Sequence, residues 1–159
     1  MQAAYAIMAN PHRLQLEDDR SFYMPFCMLC GFAAELYFKS YLLQKGYTEG
    51  DLRKRLLGHD LSQLGELAIK NGLCAPTASL VGWFGKHHKN FAYRYAQDET
   101  LFGLPRLSAV FSAFSSLDFQ IDTAVGASVS KGLVPRDGWT FPADGDFWRI
   151  GHLRLAGDC

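Results

Sequence analysis

The chain has 159 residues and no formal net charge, and 48% of its residues are hydrophobic. This length suits a single domain. The apolar content excludes an intrinsically disordered chain, and the zero net charge excludes a general attraction of the whole chain to nucleic acid or to an anionic membrane. Four cysteines in a chain of this kind do not indicate a secreted disulfide framework, so we expect reduced thiols.

Residues 1–20 are predicted to form an N-terminal arm or a short helix. The pair Asn10-Pro11 favours a turn within this segment. The segment lacks the basic region, the continuous apolar run and the small-residue cleavage site of an export signal. We therefore expect a cytoplasmic protein.

The segment from Ser21 to Gly46 is predicted to be a long helix at the centre of a helical bundle. Ser21 is a suitable N-cap, Pro25 fits the opening turn, and Gly46 is a typical C-terminal stop. The segment is apolar on nearly every side, which indicates burial by other helices. Glu35 and Lys39 lie one turn apart with the acid first, so we expect them to pair. An ionised pair near the middle also argues against a membrane span.

Four more helices are predicted downstream, each from its own start or stop signals. Thr48 and Asp51 resemble a capping box at the start of a short basic helix that ends near Leu57. Asp60 is a suitable N-cap for the next helix, and Pro105 is a typical first residue for the last one. The four helices are expected at residues 48–57, 61–71, 77–90 and 105–125. The last carries an apolar stripe of Leu107, Val110, Phe111, Phe114, Leu117, Phe119 and Ile121.

The composition shifts after residue 126 to Gly, Pro, Asp and aromatic residues. A turn at residues 142–145 separates two aromatic segments, which predicts a β-hairpin or an irregular tail that packs on the bundle or on a partner. The chain is therefore predicted to be all-α. We expect an arm at residues 1–20, an up-and-down helical bundle of about five helices at 20–126, and a C-terminal extension at 127–159.

The cysteine and histidine pairs do not predict a metal or redox site. Cys27 and Cys30 have redox-motif spacing, but they lie inside an apolar helix, where buried and inert thiols are expected. A zinc site would need a second close-spaced ligand pair. His87 and His88 are adjacent and point to different sides of a helix, so joint ligation is not expected. We predict no metal and no cofactor.

The middle of the chain is its basic part. Residues 51–94 contain seven Lys and Arg against three Asp and Glu, and residues 86–95 interleave basic with aromatic side chains. That mixture suits phosphate contact and base stacking, although ordinary amphipathic packing explains it equally well. The sequence contains no phosphate-binding Gly-rich loop and no nucleophile elbow, so the enzyme classes that those motifs announce are not supported.

A family resemblance rests on two segments. The run FCMLCGFAAELYFKSYLL at residues 26–43, followed by Gly58-His59-Asp60-Leu61, resembles members of the HEPN superfamily, and Arg94-Tyr95 after the fourth helix is similar too. The resemblance covers residues 20 to 125. It implies a helical bundle, commonly a homodimer, in a superfamily of RNA-cleaving toxins, defence proteins and RNA-processing factors that also has non-catalytic members.

The resemblance also implies where a catalytic site should lie. The resemblance implies cleavage without metal by an Arg and a His that have four to six residues between them, late in the bundle. In this chain the corresponding positions after Arg94 are Glu99, Thr100 and Leu101. The spacing is matched only by Arg53 and His59, early in the chain. His59, Arg53 and Arg94 are therefore the catalytic candidates.

Two hypotheses for function follow. The first is a non-catalytic module of a toxin–antitoxin or defence system that binds RNA, a nucleotide or a protein partner; the second is a metal-independent ribonuclease with a non-standard Arg/His site. Both expect a homodimer without membrane contact. The predicted binding residues are Glu35, Lys39, His59, His87, His88, Arg94 and Tyr95.

Overall fold

The protein is represented by a computed structural model that describes residues 1–54, 57–74, 76–90, 105–135 and 138–149. Within these ranges the chain forms six α-helices and no strand, which confirms the all-α prediction. The helices are α1 (Gln2–Met8), α2 (Arg20–Gln44), α3 (Glu49–Leu52), α4 (Leu61–Lys70), α5 (Thr77–Lys89) and α6 (Leu107–Val125). Short 3-10 helices lie at Pro11–Gln15, Val129–Lys131 and Ala143–Gly145.

Helix α2 is the central element of the bundle, as its apolar composition predicted. It packs against α1, α4, α5 and α6, and its side chains Phe26 and Phe38 are fully buried. Helix α4 packs closely on α5. At their contact, a Cβ added to Gly65 would lie 2.5 Å from Val81 Cγ2. Glycine at this position leaves room for the Val81 side chain, and a larger residue would require that side chain or the helices to shift.

The boundaries of α2 differ from prediction at one end. The helix begins at Arg20 with Asp19 as its N-cap, two residues before the expected N-cap at Ser21. Pro25 therefore lies inside the helix and not in its opening turn. The carboxylate of Asp19 makes no capping bond; it accepts from Nε and Nη2 of Arg13, each at 2.9 Å. Gly46 ends the helix with a φ of +93°, as predicted.

Helix α3 is shorter than expected. The capping box is confirmed, since Thr48 Oγ1 accepts from Asp51 N–H and Asp51 accepts from Thr48 N–H. The helix ends at Leu52, however, and not near Leu57. Leu52 is buried, whereas Arg53 and Lys54 are exposed.

Helices α4 and α5 agree with the predicted signals, whereas α6 begins later than expected. Asp60 caps α4 by accepting from the N–H groups of the helix's first turn. Helix α6 begins at Leu107, two residues after Pro105. Its first turn is capped by a residue 38 positions away along the chain: the Asp146 carboxylate accepts from the N–H and the hydroxyl of Ser108. Phe119, expected in the apolar stripe, is 43% exposed.

The described part of the C-terminal extension is an irregular segment, not a β-hairpin. Its aromatic rings pack on the bundle: Phe141 stacks on Phe111 with centroids 5.2 Å apart, and Trp148 contacts Phe26 at 5.3 Å. Arg13 is 1% exposed and donates to Met8, Gly145 and Phe147 carbonyls. The N-terminal arm and the extension are therefore fixed to each other by a buried guanidinium.

Helix α2 also has the length and composition of a membrane-spanning helix. Among the described residues, Ser21–Gln44 passes this test, and half of its most apolar window is buried inside the fold. Such burial is typical of the core helix of a globular protein. Cys27 and Cys30 lie in its buried part as free thiols, as predicted, and burial raises the pKa of both. Cys74 is also free, and exposed.

Candidate functional site

Four of the predicted binding residues meet at one point of the bundle. Glu35 and Lys39 lie one turn apart on α2, His59 directly precedes the N-cap of α4, and His88 lies in the last turn of α5. His59 is 24 residues from Glu35 and His88 is 53 residues from it. The fold therefore assembles a polar cluster from three separate segments, and we call these four residues the Glu35 cluster.

The carboxylate of Glu35 is the centre of the cluster. Its Oε1 lies 2.6 Å from Lys39 Nζ, so the predicted ion pair is present. Its Oε2 lies 3.0 Å from His59 Nδ1 and 2.7 Å from His88 Nε2. Lys39 Nζ also donates to the Gly58 carbonyl oxygen at 2.6 Å. One buried carboxylate thus receives three donors and holds the loop before α4 against α2.

The electrostatics keep Glu35 ionised. Burial alone would raise the pKa of Glu35, but hydrogen bonds from His88, Lys39 and His59 outweigh burial and lower the pKa to about 2. An ionised carboxylate only accepts hydrogen bonds. The contacting nitrogens, Nδ1 of His59 and Nε2 of His88, must therefore carry protons. In a neutral His59 ring, the lone pair is then on Nε2.

The two histidines differ sharply in exposure. His88 is 2% exposed, whereas the His59 side chain is 51% exposed. The His88 ring packs edge-on against Phe32 with centroids 5.0 Å apart. A Cβ added to Gly31 would lie 2.5 Å from His88 Nδ1, so glycine is needed there to admit the ring. His88 is thus part of the buried frame, while solvent reaches His59.

Helix periodicity explains why His88 and not His87 enters the cluster. Thr77, Leu80, Phe84 and His88 are spaced at three or four residues and are all buried on one face of α5. His87 lies on a neighbouring, partly exposed face, and its pKa is lowered by burial and by Lys86. The sequence contains this signal, because His88 continues the apolar stripe. Adjacency alone could not select between the two residues.

Two exposed cations, Lys54 and Lys89, lie on segments that adjoin the cluster. Lys89 pairs with the Asp60 carboxylate at 2.6 Å and is 60% exposed. Lys54 pairs with Asp51 and is 68% exposed. Exposed ion pairs of this kind contribute little stability, so their cations remain available to other anions.

Among the described residues, Arg53 does not join the cluster contacts. Arg53 is 79% exposed and pairs with Glu49 one helical turn away. Its expected partnership with His59 therefore rests on spacing alone. Arg94 and Tyr95 lie outside the described residues, so their predicted roles stay predictions.

A metal ligand set is also present, although close spacing along the chain did not predict one. Glu35, His59 and His88 each offer a ligand atom, and these atoms lie within 4.8 Å of one another. The prediction of no metal followed from the lack of closely spaced ligand pairs in the sequence, whereas these three residues come from separate segments.

Comparison with protein-family models, with curated proteins and with solved structures finds no match for this chain.

Proposed function

We propose that the chain is a HEPN-like, metal-independent ribonuclease in which His59 is the general base. One observation carries this proposal: the buried Glu35 carboxylate holds His59 by Nδ1 while half of the His59 side chain remains exposed. A carboxylate that fixes a histidine in one tautomer directs the other ring nitrogen toward a substrate. In this proposal His59, which lies early in the chain, has the role that the late Arg-to-His motif has in HEPN nucleases.

The proposed reaction uses the ribose 2′-hydroxyl as the nucleophile. Nε2 of His59 removes the 2′-hydroxyl proton, the 2′ oxygen forms a bond to phosphorus, and the bond from phosphorus to the 5′ oxygen breaks. Water supplies a proton to the leaving 5′ oxygen. The products are a 2′,3′-cyclic phosphate and a 5′-hydroxyl end.

Lys39 is suited to stabilise the charge that develops on the phosphate. Its ammonium has three donors, of which two are used by Glu35 and by the Gly58 carbonyl. The side chain is 21% exposed, so solvent reaches part of it, and we assign the third donor to a phosphate oxygen. The neighbouring Lys54 and Lys89 supply further sequence-independent attraction to an RNA backbone.

The test is cleavage of a mixed-sequence single-stranded RNA by purified protein in the presence of a chelator. Wild type should cleave, and His59→Ala should lose about 10²- to 10⁴-fold in rate, the usual contribution of a general base. His12→Ala is the matched control, because His12 is exposed and lies outside the cluster. It should cleave at the wild-type rate. A DNA strand of the same sequence should remain intact because it lacks the nucleophile.

Cleavage that persists unchanged in His59→Ala would exclude His59 as the base. Absence of cleavage by wild type would remove the ribonuclease proposal and leave the second candidate.

That candidate is a non-catalytic module that binds RNA, a nucleotide or a protein of a toxin–antitoxin or defence system. It is favoured by the mutual hydrogen bonding within the cluster, since Lys39 also fixes the Gly58 carbonyl and such networks often serve structure alone. Salt-dependent retention of uncleaved RNA would support it. The expected homodimer stays a prediction for either candidate.

A further inference from the structure

Glu35, His59 and His88 form a ligand set of two imidazoles and one carboxylate. Both rings contact the same oxygen, Glu35 Oε2, at 2.7 and 3.0 Å, and one ligand atom of each residue lies within 4.8 Å of the others. Zn²⁺ binds such nitrogen and oxygen ligands at about 2.0–2.2 Å. Ligand atoms around a tetrahedral ion are therefore about 3.4 Å apart. The two nitrogens need to move away from Oε2 by less than about 1 Å, and the two imidazole ligand atoms, which lie within 4.8 Å, need to approach each other by up to about 1.4 Å.

We propose that Glu35, His59 and His88 bind one divalent transition-metal ion of the Zn²⁺ class. Imidazole ligands select ions such as Zn²⁺, Fe²⁺ or Ni²⁺ over Mg²⁺ and Ca²⁺, which prefer sites made of oxygen atoms. Glu35 is 5% exposed and His88 is 2% exposed, so both are held in place by the core. The half-exposed His59 side is the route by which the ion enters.

Lys39 opposes metal binding without blocking it. Its ammonium contacts Oε1 of Glu35 at 2.6 Å, whereas both histidines contact Oε2. The ion can therefore bind while the ion pair stays in place, although the nearby positive charge repels it. Lys39→Gln removes this repulsion and should bind the ion more tightly than wild type. A cluster that serves only packing would show no such gain.

Metal binding would stop RNA cleavage, a consequence that rests on the proposed function. An ion on Nδ1 of His59 requires the proton of the neutral ring to move to Nε2. Nε2 is the atom proposed to remove the 2′-hydroxyl proton. The ion and the reaction thus compete for the same histidine.

The experiment is titration of tag-free, metal-free full-length chain with Zn²⁺ by calorimetry and with Co²⁺ by visible absorption, without RNA. Wild type and the His12→Ala control should bind one ion per chain with equal affinity. His59→Ala should weaken binding by more than the roughly 10- to 100-fold that loss of a supporting outer partner costs. Because His59 is half exposed, this variant should fold normally, which thermal melting will check. His88→Ala and Glu35→Gln test the two buried ligands. Their binding is compared with wild type only if thermal melting shows that they fold.

Failure of wild type to bind an ion, or equal binding by wild type and His59→Ala, would overturn the metal site. The outcome is independent of the ribonuclease proposal because binding is measured without RNA and cleavage is measured in chelator. Metal binding without RNA cleavage would leave the site and remove the nuclease. Cleavage without metal binding would leave the nuclease and remove the metal site.

Discussion

Replacement of Glu35 by glutamine should destabilise the protein in a way that depends on pH. Glutamine has nearly the same shape, so the packing of α2 is kept while the charge that receives Lys39, His59 and His88 is removed. A carboxyl whose pKa falls from an ordinary 4.5 to about 2 on folding contributes about 3 kcal/mol of stability at neutral pH. Glu35→Gln should lose about this amount at pH 7.

The sign of the pH dependence follows from the lowered pKa. A carboxyl with a depressed pKa stabilises the fold fully above its unfolded pKa, and this stabilisation is lost as the pH falls through its folded pKa. The difference between wild type and Glu35→Gln should therefore shrink between about pH 4.5 and pH 2, and about two fifths of it should remain at pH 3.

Urea denaturation followed by circular dichroism, at pH 7 and pH 3 in the presence of a chelator, measures this difference. The matched control is Glu66→Gln, because Glu66 is exposed. Its effect should stay within about 0.5 kcal/mol at both pH values. A Glu35→Gln effect that is equal at both pH values would refute the electrostatic account, and so would an effect at pH 7 as small as that of the control.

Three further predictions concern residues that support the Glu35 cluster and the core of the bundle. Gly31→Ala should cost about 1–3 kcal/mol in urea denaturation and slow RNA cleavage, because the added methyl group would lie 2.5 Å from His88 Nδ1; wild-type stability would contradict the close approach. Asp60→Ala should lose about 1 kcal/mol of stability through the missing α4 cap, whereas Asp60→Asn should retain most of it. The buried Cys30, whose pKa is raised by burial, should resist iodoacetamide at pH 8 while the exposed Cys74 reacts, as peptide mapping will show; equal labelling of both would be inconsistent with the buried core.

Local signals in the sequence predicted most of the helices. Gly46, the Thr48–Asp51 capping box and the Asp60 cap act on their immediate neighbours, and each has the predicted role. The errors came from interactions between distant residues. Helix α6 starts at Leu107 because its cap is supplied by Asp146, which lies beyond the other end of that helix.

The site was only partly predictable for the same reason. Glu35 and Lys39 pair across one helical turn, which the sequence predicts directly. Their contacts with His59 and His88 depend on how α4 and α5 pack against α2, and no short spacing encodes that packing. His88 and not His87 could be selected only from the buried face of α5, which His88 shares with Phe84 one turn earlier.

His59 is proposed to remove a proton from a ribose 2′-hydroxyl. The substrate that isolates this step is a DNA strand with a single ribonucleotide, incubated in chelator with wild type, His59→Ala and the His12→Ala control. We predict cleavage at the ribonucleotide only, with a 2′,3′-cyclic phosphate end, by wild type and His12→Ala but not by His59→Ala. An intact strand with wild type, or identical cleavage by all three proteins, would contradict the account.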